Sequence, residues 1–502
     1  ALNRQAGELL VQARALQAMI NPGEENLERI SKAWNNVIMY DEHTWGAYCS
    51  VSDPFDPFTV SQDNYKQRFA YRADSLSREA AFAAARNVAQ RGSGCIDVFN
   101  TSSWPRSEIV FLTADQSTAG DRIINDHGRP VVSQRLLGGE LAFRAEEIPA
   151  FGVRRYRIQD GEAEQSTGLT ITENELSNEF LKVRIDSRSG AIESIIMKSS
   201  GRELVDNTQS LLNDFIYMEG RETGKNIKGI DSPVSISIVD AGPLLGSLLI
   251  ESGAPGCNKL SRLVSLTSGE SRIDMFNTVD KLRVLDPEGV YFTFPLDIPE
   301  GIVRMDIPWG VVRPEIDQMA GANRNYFPVQ RWIDISNEDF GISWVSRDAP
   351  MIAFNPIKIV GKGRGDSQHM AEFGEEGIRE WWNKSIQPDQ GFCSWVMSNH
   401  WEVNYKAFQE GEVTFRYTLI PHEGGYSGIE AEKNGRAICQ PLVALEVHEN
   451  SRPLVPPFSI QSEQLIATSL KSENEGKSFI VRLYNPTSSI GEAQITSVNR
   501  CP

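Results

Sequence analysis

The sequence predicts an α+β protein that is mostly β, with an N-terminal three-helix bundle followed by β-sandwich domains, one of them large. Three observations predict it. Apolar residues recur at helical spacing over the first 92 positions, short alternating β-rich runs fill the remainder, and "RGSG" at 91–94 marks the change between them. At 502 residues the chain is too long for one hydrophobic core, since single cores stop growing near ~250–300 residues.

The first helix is set by Leu2, Ala6, Leu9, Ala13, Leu16 and Ile20, whose alternating gaps of four and three place them on one face. "NPGEEN" breaks it. Leu27, Ile30, Trp34 and Val37 define a second helix, and a third runs from about Tyr65 through Phe69, Ala73, Leu76, Ala80 and Ala83. The intervening "SVSDPFDPFTVSQDN" carries Pro54 and Pro57 and cannot be helical throughout. After residue 94 the runs "CIDVFN", "EIVFLT", "LAFRAEEI" and "VRRYRI" are separated by Gly, Pro and Asn turns. "LKVRIDSRSGAIESIIMK" alternates on both sides of "SRSG" as a hairpin does, and "PVSISIVDAGPLLGSLLIES" repeats the style. Sheets of this number and length imply sandwiches. The expected division is a bundle at 1–92, a small β domain at 93–166, a large super-sandwich at 167–435 and a C-terminal β domain at 436–502.

A net charge of −17 repels both a phosphate backbone and an anionic membrane, so neither nucleic acid nor membrane is expected as a partner. Neutral or cationic ligands fit better. No run approaches the ~20 apolar residues of a membrane span, and the polar start lacks the layout of a signal peptide, so a soluble chain is expected. The six cysteines lie far apart without a C-x-x-C, which argues against a zinc finger or a dense disulfide framework.

Three stretches could carry chemistry. In "YDEHTWGAYCS" His43 follows Asp41 and Glu42 at a helix end and precedes Thr44, Trp45 and Gly46. It reads either as a solvent-facing residue favoured by the helix dipole or as a metal ligand whose ring a neighbouring carboxylate orients. In "FCSWVMSNHWEVNYKAFQEG", Asn399, His400, Trp401 and Asn404 set amides beside aromatic rings, a combination that suits sugars; an irregular loop anchored by its tryptophans is the plainer reading. A third candidate is "RNYFPVQRWIDISNEDFGISW" at 324–344, where strand alternation alone explains most of the aromatics.

Taken in order, "EHTWGA", "CIDVFNTSSWPR", "AEEIPAFGVRRYRI", "NEFLKVRIDSRSGAIESI", "NYFPVQRWIDI" and "RYTLIPH" resemble the middle and C-terminal regions of family 38 glycoside hydrolases, the zinc-dependent α-mannosidases. The most specific pair is "VFNTSSWPR" with "IPAFGVRRYRI", which in that family are adjacent strands of the first small β domain. The resemblance implies a mutarotase-like super-sandwich, retaining hydrolysis of an α-mannoside or related oligosaccharide, and a single Zn2+ site. It implies that His43, matching the family's H-D-x-x-x-G histidine, is one zinc ligand. Thr44 stands where the motif's aspartate would be and the glycine comes sooner. Asp41, Glu42, Thr44, Trp45, Tyr217, Asn399, His400, Trp401 and Asn404 become candidates for the substrate cleft.

The family's N-terminal α/β barrel supplies an H-x-D pair and a further aspartate that is also the nucleophile, and no H-x-D occurs here. One histidine cannot complete a catalytic zinc site, which needs three protein ligands. No carboxyl pair can be nominated for the roughly 5–5.5 Å separation of retaining enzymes. The chain is therefore expected to be the part outside the catalytic barrel, with no catalytic residue of its own, inactive alone, its partner being that barrel. A stand-alone carbohydrate-binding or structural sandwich module is the alternative. A mutarotase-like epimerase using His400 and Glu402 is a third class.

Overall fold

The computed structural model describes residues 1–502 except 24–25, 44–45, 165–167, 221–226, 355–382, 384, 387–390, 400–404, 452–453, 455–457, 474–475 and 498–502. Helices α1 (Leu2–Ile20), α2 (Leu27–Asp41) and α3 (Pro57–Ala85) open the chain. Ala6, Leu10 and Ala13 of α1 pack with Ile30, Ala33, Ala73 and Ala80 of its two neighbours. Its second half turns Ala15, Leu16, Ala18 and Met19 onto Phe99, Phe151, Phe458 and Leu470 of the β region. Because α1 is covered on two sides, its buried stripe is wider than the four-and-three pattern, and Leu10 rather than Leu9 is fully buried. α3 starts at Pro57, well before Tyr65. The Asp56 carboxylate accepts from the amides of Phe58 at 2.9 Å and Thr59 at 3.4 Å, and proline is tolerated at the first helical position because that amide has no intrahelical partner.

From Cys95 onward the protein is β apart from two helical segments among the described residues, which bears out the predicted class. A five-stranded sheet, in the order Val443–Glu446, Cys95–Phe99, Val153–Gln159, Arg122–Asn125 and Pro130–Val131, faces a three-stranded sheet of Arg106–Leu112, Leu141–Ile148 and Ser133–Arg135. Ile96, Val98, Leu112, Phe143 and Tyr156 fill the space between them. Cys95–Phe99 and Val153–Gln159, which carry the "VFN" and "VRRYRI" motifs, are antiparallel neighbours. On the other side Cys95–Phe99 pairs with Val443–Glu446, so the edge strand of this sandwich comes from the far end of the chain.

The large sandwich sets a nine-stranded sheet, centred on Ile273–Lys281 and Gly411–Glu423, against a six-stranded sheet centred on Glu288–Phe294 and Phe392–Ser398. Phe292, Phe294, Trp344, Phe392 and Tyr417 interlock between the sheets. Both expected hairpins form, Leu181–Ile185 with Ile192–Met197 and Ser235–Ala241 with Leu245–Ala254. One helix departs from the all-β expectation, Gly428–Cys439. Ser427 caps it by accepting from the Glu430 amide at 3.4 Å, and Gly435 lets it lie on Trp332, where a Cβ would come within 2.5 Å of the indole. The Trp332 Nε1–H donates to Glu432 Oε2 at 3.0 Å, anchoring the helix to the sheet.

Cys95, Cys257 and Cys393 are buried and unpaired, and burial pushes the thiols of Cys257 and Cys393 up to about 12. Among the described residues no helix is long and apolar enough to cross a membrane.

Candidate functional site

α2 stops at Asp41, and Glu42 follows in extended backbone with its amide still donating to Ile38 O at 3.1 Å. The last carbonyls of the helix are met by a cation from α3: Lys66 Nζ donates to Met39 O at 3.1 Å and to Glu42 O. Burial lowers the Lys66 pKa while Glu42 and Asp41 oppose the shift. Asn3 Nδ2 donates to Asp41 Oδ1 at 2.9 Å and to Val37 O at 3.2 Å, tying the end of α2 to the start of α1. Burial raises the Asp41 carboxyl and the Asn3 bond works against it. Asp41 is thus committed to the helix junction, whereas His43 is exposed beyond it. Thr44 and Trp45 lie outside the described residues.

Past Gly46 the chain folds back along the first turns of α3 and meets the segment that follows the second sequence cluster. Together they enclose a pocket of about 230 Å³ whose walls include Phe55, Asp63, Asn64, Arg283, Lys406 and Phe408. The Phe55 and Phe408 rings are 5.8 Å apart, centroid to centroid. The Arg283 guanidinium lies 5.7 Å from the first ring and 4.6 Å from the second, and is fixed by two 2.7 Å bonds to Glu410. Lys406 Nζ sits 4.3 Å from the Phe408 ring. Burial raises the Asp63 carboxyl, and the Lys406 charge opposes it. Phe55 remains 53% exposed, so an apolar face and a set of hydrogen-bonding groups both front the same opening.

Under this rim the structure places two cleft candidates in a different setting. Tyr217 and Asn399 are buried and converge on Glu288. The Tyr217 hydroxyl donates to Glu288 Oε2 at 2.6 Å, and Lys281 Nζ is 2.7 Å from Glu288 Oε1. Asn399 Oδ1 accepts from the Glu288 amide at 2.6 Å, and its Nδ2 reaches the carbonyls of Val284, Asp286 and Ala407 at 3.2, 2.9 and 3.1 Å. With these groups occupied, neither residue presents hydrogen-bonding capacity to a cleft; they hold the loop in place. Burial and the bond to Glu288 raise the Tyr217 pKa further. His400, Trp401, Glu402 and Asn404 lie outside the described residues.

Sequence reasoning missed Phe55, Arg283, Phe408, Lys281 and Glu288. "DPFDPF" reads locally as a helix breaker, and Glu288 meets Asn399 across 111 positions, where no local pattern points. Of the other described histidines, His127 is exposed in a turn and His422 Nε2 lies 3.0 Å from Asp334 Oδ2. Among the described residues no group of three or more His, Cys, Asp or Glu side chains is placed to hold a metal ion.

Residues 176–349 match the glycosyl hydrolases family 38 C-terminal domain. No curated protein matches the chain. Two solved structures are similar in fold. One is a protein in the glycosyl hydrolase family 38 from Enterococcus faecalis, with TM-score 0.70 and 14% identity over 98% of this chain and 65% of its own. The other is an α-mannosidase from Enterococcus faecalis V583, with TM-score 0.70 and 14% identity over 98% of this chain and 62% of its own. The chain therefore spans less than two thirds of the length of either. Residues 176–349 are thus similar to the C-terminal domain of family 38 glycosyl hydrolases, and the chain shares its fold with the two Enterococcus faecalis structures.

Proposed function

We propose that this chain is the helical and β portion of a retaining, zinc-dependent glycoside hydrolase acting on α-mannosides or related oligosaccharides. The observation that carries the reading is the meeting of two remote segments, the one after His43 and the one after Asn399, around a single pocket. Phe55 offers a sugar ring an apolar face, and Asp63, Asn64 and Lys406 offer its hydroxyls donors and acceptors. Glu410 orients Arg283 over the two rings, and the Glu288 network fixes the loop that carries Phe408.

The donors fit zinc as a contribution and not as a complete site. His43 is exposed and would supply one imidazole, while the remaining ligands would come from residues beyond these. When bound, the ion would act as a Lewis acid on sugar hydroxyls. The chain's own residues would bind and orient the sugar; the nucleophile and the acid would belong to a catalytic barrel in the same protein.

An aryl α-mannoside assay tests this. The 502-residue chain alone is expected to show no turnover with zinc added, and a longer chain carrying the barrel is expected to hydrolyse the substrate. Turnover by the chain alone that survives further purification, or none by the longer chain, contradicts the reading.

A further inference from the structure

A second pocket, about 360 Å³, opens where α1 and α3 meet the large sandwich, and its walls include Arg4, Glu8, Asp74, Arg78, Arg347 and Cys439. It shares no residue with the pocket walled by Phe55 and Phe408. Its charges do not balance locally. Glu8 is spent on Arg331, with Oε1 2.8 Å from Nη2, and accepts from Gln440 at 2.5 Å. Asp74 is held by Arg78 at 3.0 Å. Asp348, next in sequence to Arg347, is held by Arg416 at 2.7 Å and by Gln5 at 2.9 Å.

Two guanidinium groups remain. Arg4 donates through Nη1 and Nη2 to the carbonyls of Val329, Gln330 and Ser346 at 3.4, 2.5 and 3.2 Å, which are neutral partners, and its buried Nε has none. The Arg347 side chain makes no hydrogen bond or ion pair among the described residues; burial first and the nearby Arg416 charge second lower its pKa, against the weaker pull of Cys439, Asp348 and Asp274. Cys439 adds no negative charge, because burial pushes its thiol up to about 12. In a chain of net charge −17, two partly desolvated cations thus line one cavity with no carboxylate hydrogen-bonded to either, those nearby being held by other partners. An unpaired charge removed from water is costly, and an entering anion removes that cost. Guanidinium forks match the oxygens of carboxylates and phosphates in pairs.

We propose that this pocket binds a small oxyanion, a carboxylate or a phosphate group, held by Arg347 and Arg4 between the helical bundle and the large sandwich.

Thermal melting of the full chain in sodium phosphate, sodium acetate and sodium chloride at equal ionic strength tests it. At least one oxyanion is expected to raise Tm saturably; a rise with phosphate alone assigns a phosphate group, and with acetate alone a carboxylate. Arg347→Gln is expected to weaken the apparent affinity at least tenfold, Arg347→Lys to retain part of it, and Arg184→Gln, at an exposed ion pair with Glu193, to leave it unchanged. In chloride Arg347→Gln is expected to melt no lower than the parent, since it removes a charge without a partner. The absence of a saturable rise with either oxyanion, an equal rise in Arg347→Gln, or a lower melting point of that variant in chloride overturns the proposal.

Discussion

Beneath the segment at 405–411, Lys281, Glu288, Tyr217 and Asn399 are buried with their polar groups paired, whereas Phe55, Arg283 and Lys406 on the rim above reach solvent. The rim offers rings and charges that a ligand can use; the underside offers none. A polar side chain near an opening is therefore no guide to binding until its hydrogen bonds have been counted, and Asn399 makes the point with four of them. The underside should answer to mutation in stability and the rim in binding.

The largest effect is expected at Glu288. Glu288→Gln leaves the Lys281 ammonium buried without its carboxylate, at a cost of about 3–5 kcal/mol. A shift in the urea unfolding midpoint measures it, and an unchanged midpoint would remove the distinction between underside and rim. Next comes Asn399→Ala, which strips partners from buried backbone groups and is expected to cost about 1–3 kcal/mol. The smallest stability effect is expected at Phe55→Ala, within about 0.5 kcal/mol for a half-exposed side chain. The same change is expected to raise KM for a mannoside in a barrel-bearing chain, so a large loss of stability with unchanged KM would return Phe55 to the scaffold.

A pH test sharpens the comparison for a partly buried pair elsewhere in the large sandwich. Burial lowers the His422 pKa, but its bond to Asp334 and that group's charge outweigh burial and leave the value raised. A raised histidine contributes stability that is fully present below its unfolded value of about 6.5 and is lost as pH climbs through the folded value. Melting curves across that window are expected to show this loss in the parent and not in His422→Gln. Identical pH profiles would show that the pair contributes nothing through protonation.

Much of the fold was legible because it is written locally. The hairpins at 181–197 and 235–254 follow from alternation around a turn. Two local signals were there to be used: Asp56 before Pro57 announces the start of α3, and Ser427 with Glu430 three positions on is a capping box for the helix Gly428–Cys439. Pairing between distant segments was not legible. Val443–Glu446 joins Cys95–Phe99 across more than three hundred residues, and nothing in either run names the other. The site divides the same way. Each of the two clusters could be seen by composition, but the pocket exists only because Phe55 and Phe408 come together, and the Tyr217 hydroxyl is taken up by a carboxylate 71 positions away.

The proposed function has the end of α2 contribute a zinc ligand to an active site completed by residues beyond these. Elemental analysis of dialysed protein tests it most directly, using a longer chain carrying the proposed barrel and its His43→Ala variant. The account predicts about one zinc per parent chain and its loss from the variant, since one imidazole is a large share of a three- or four-ligand site. Zinc retained at the parental stoichiometry in His43→Ala would contradict it and leave His43 as an exposed residue at a helix end.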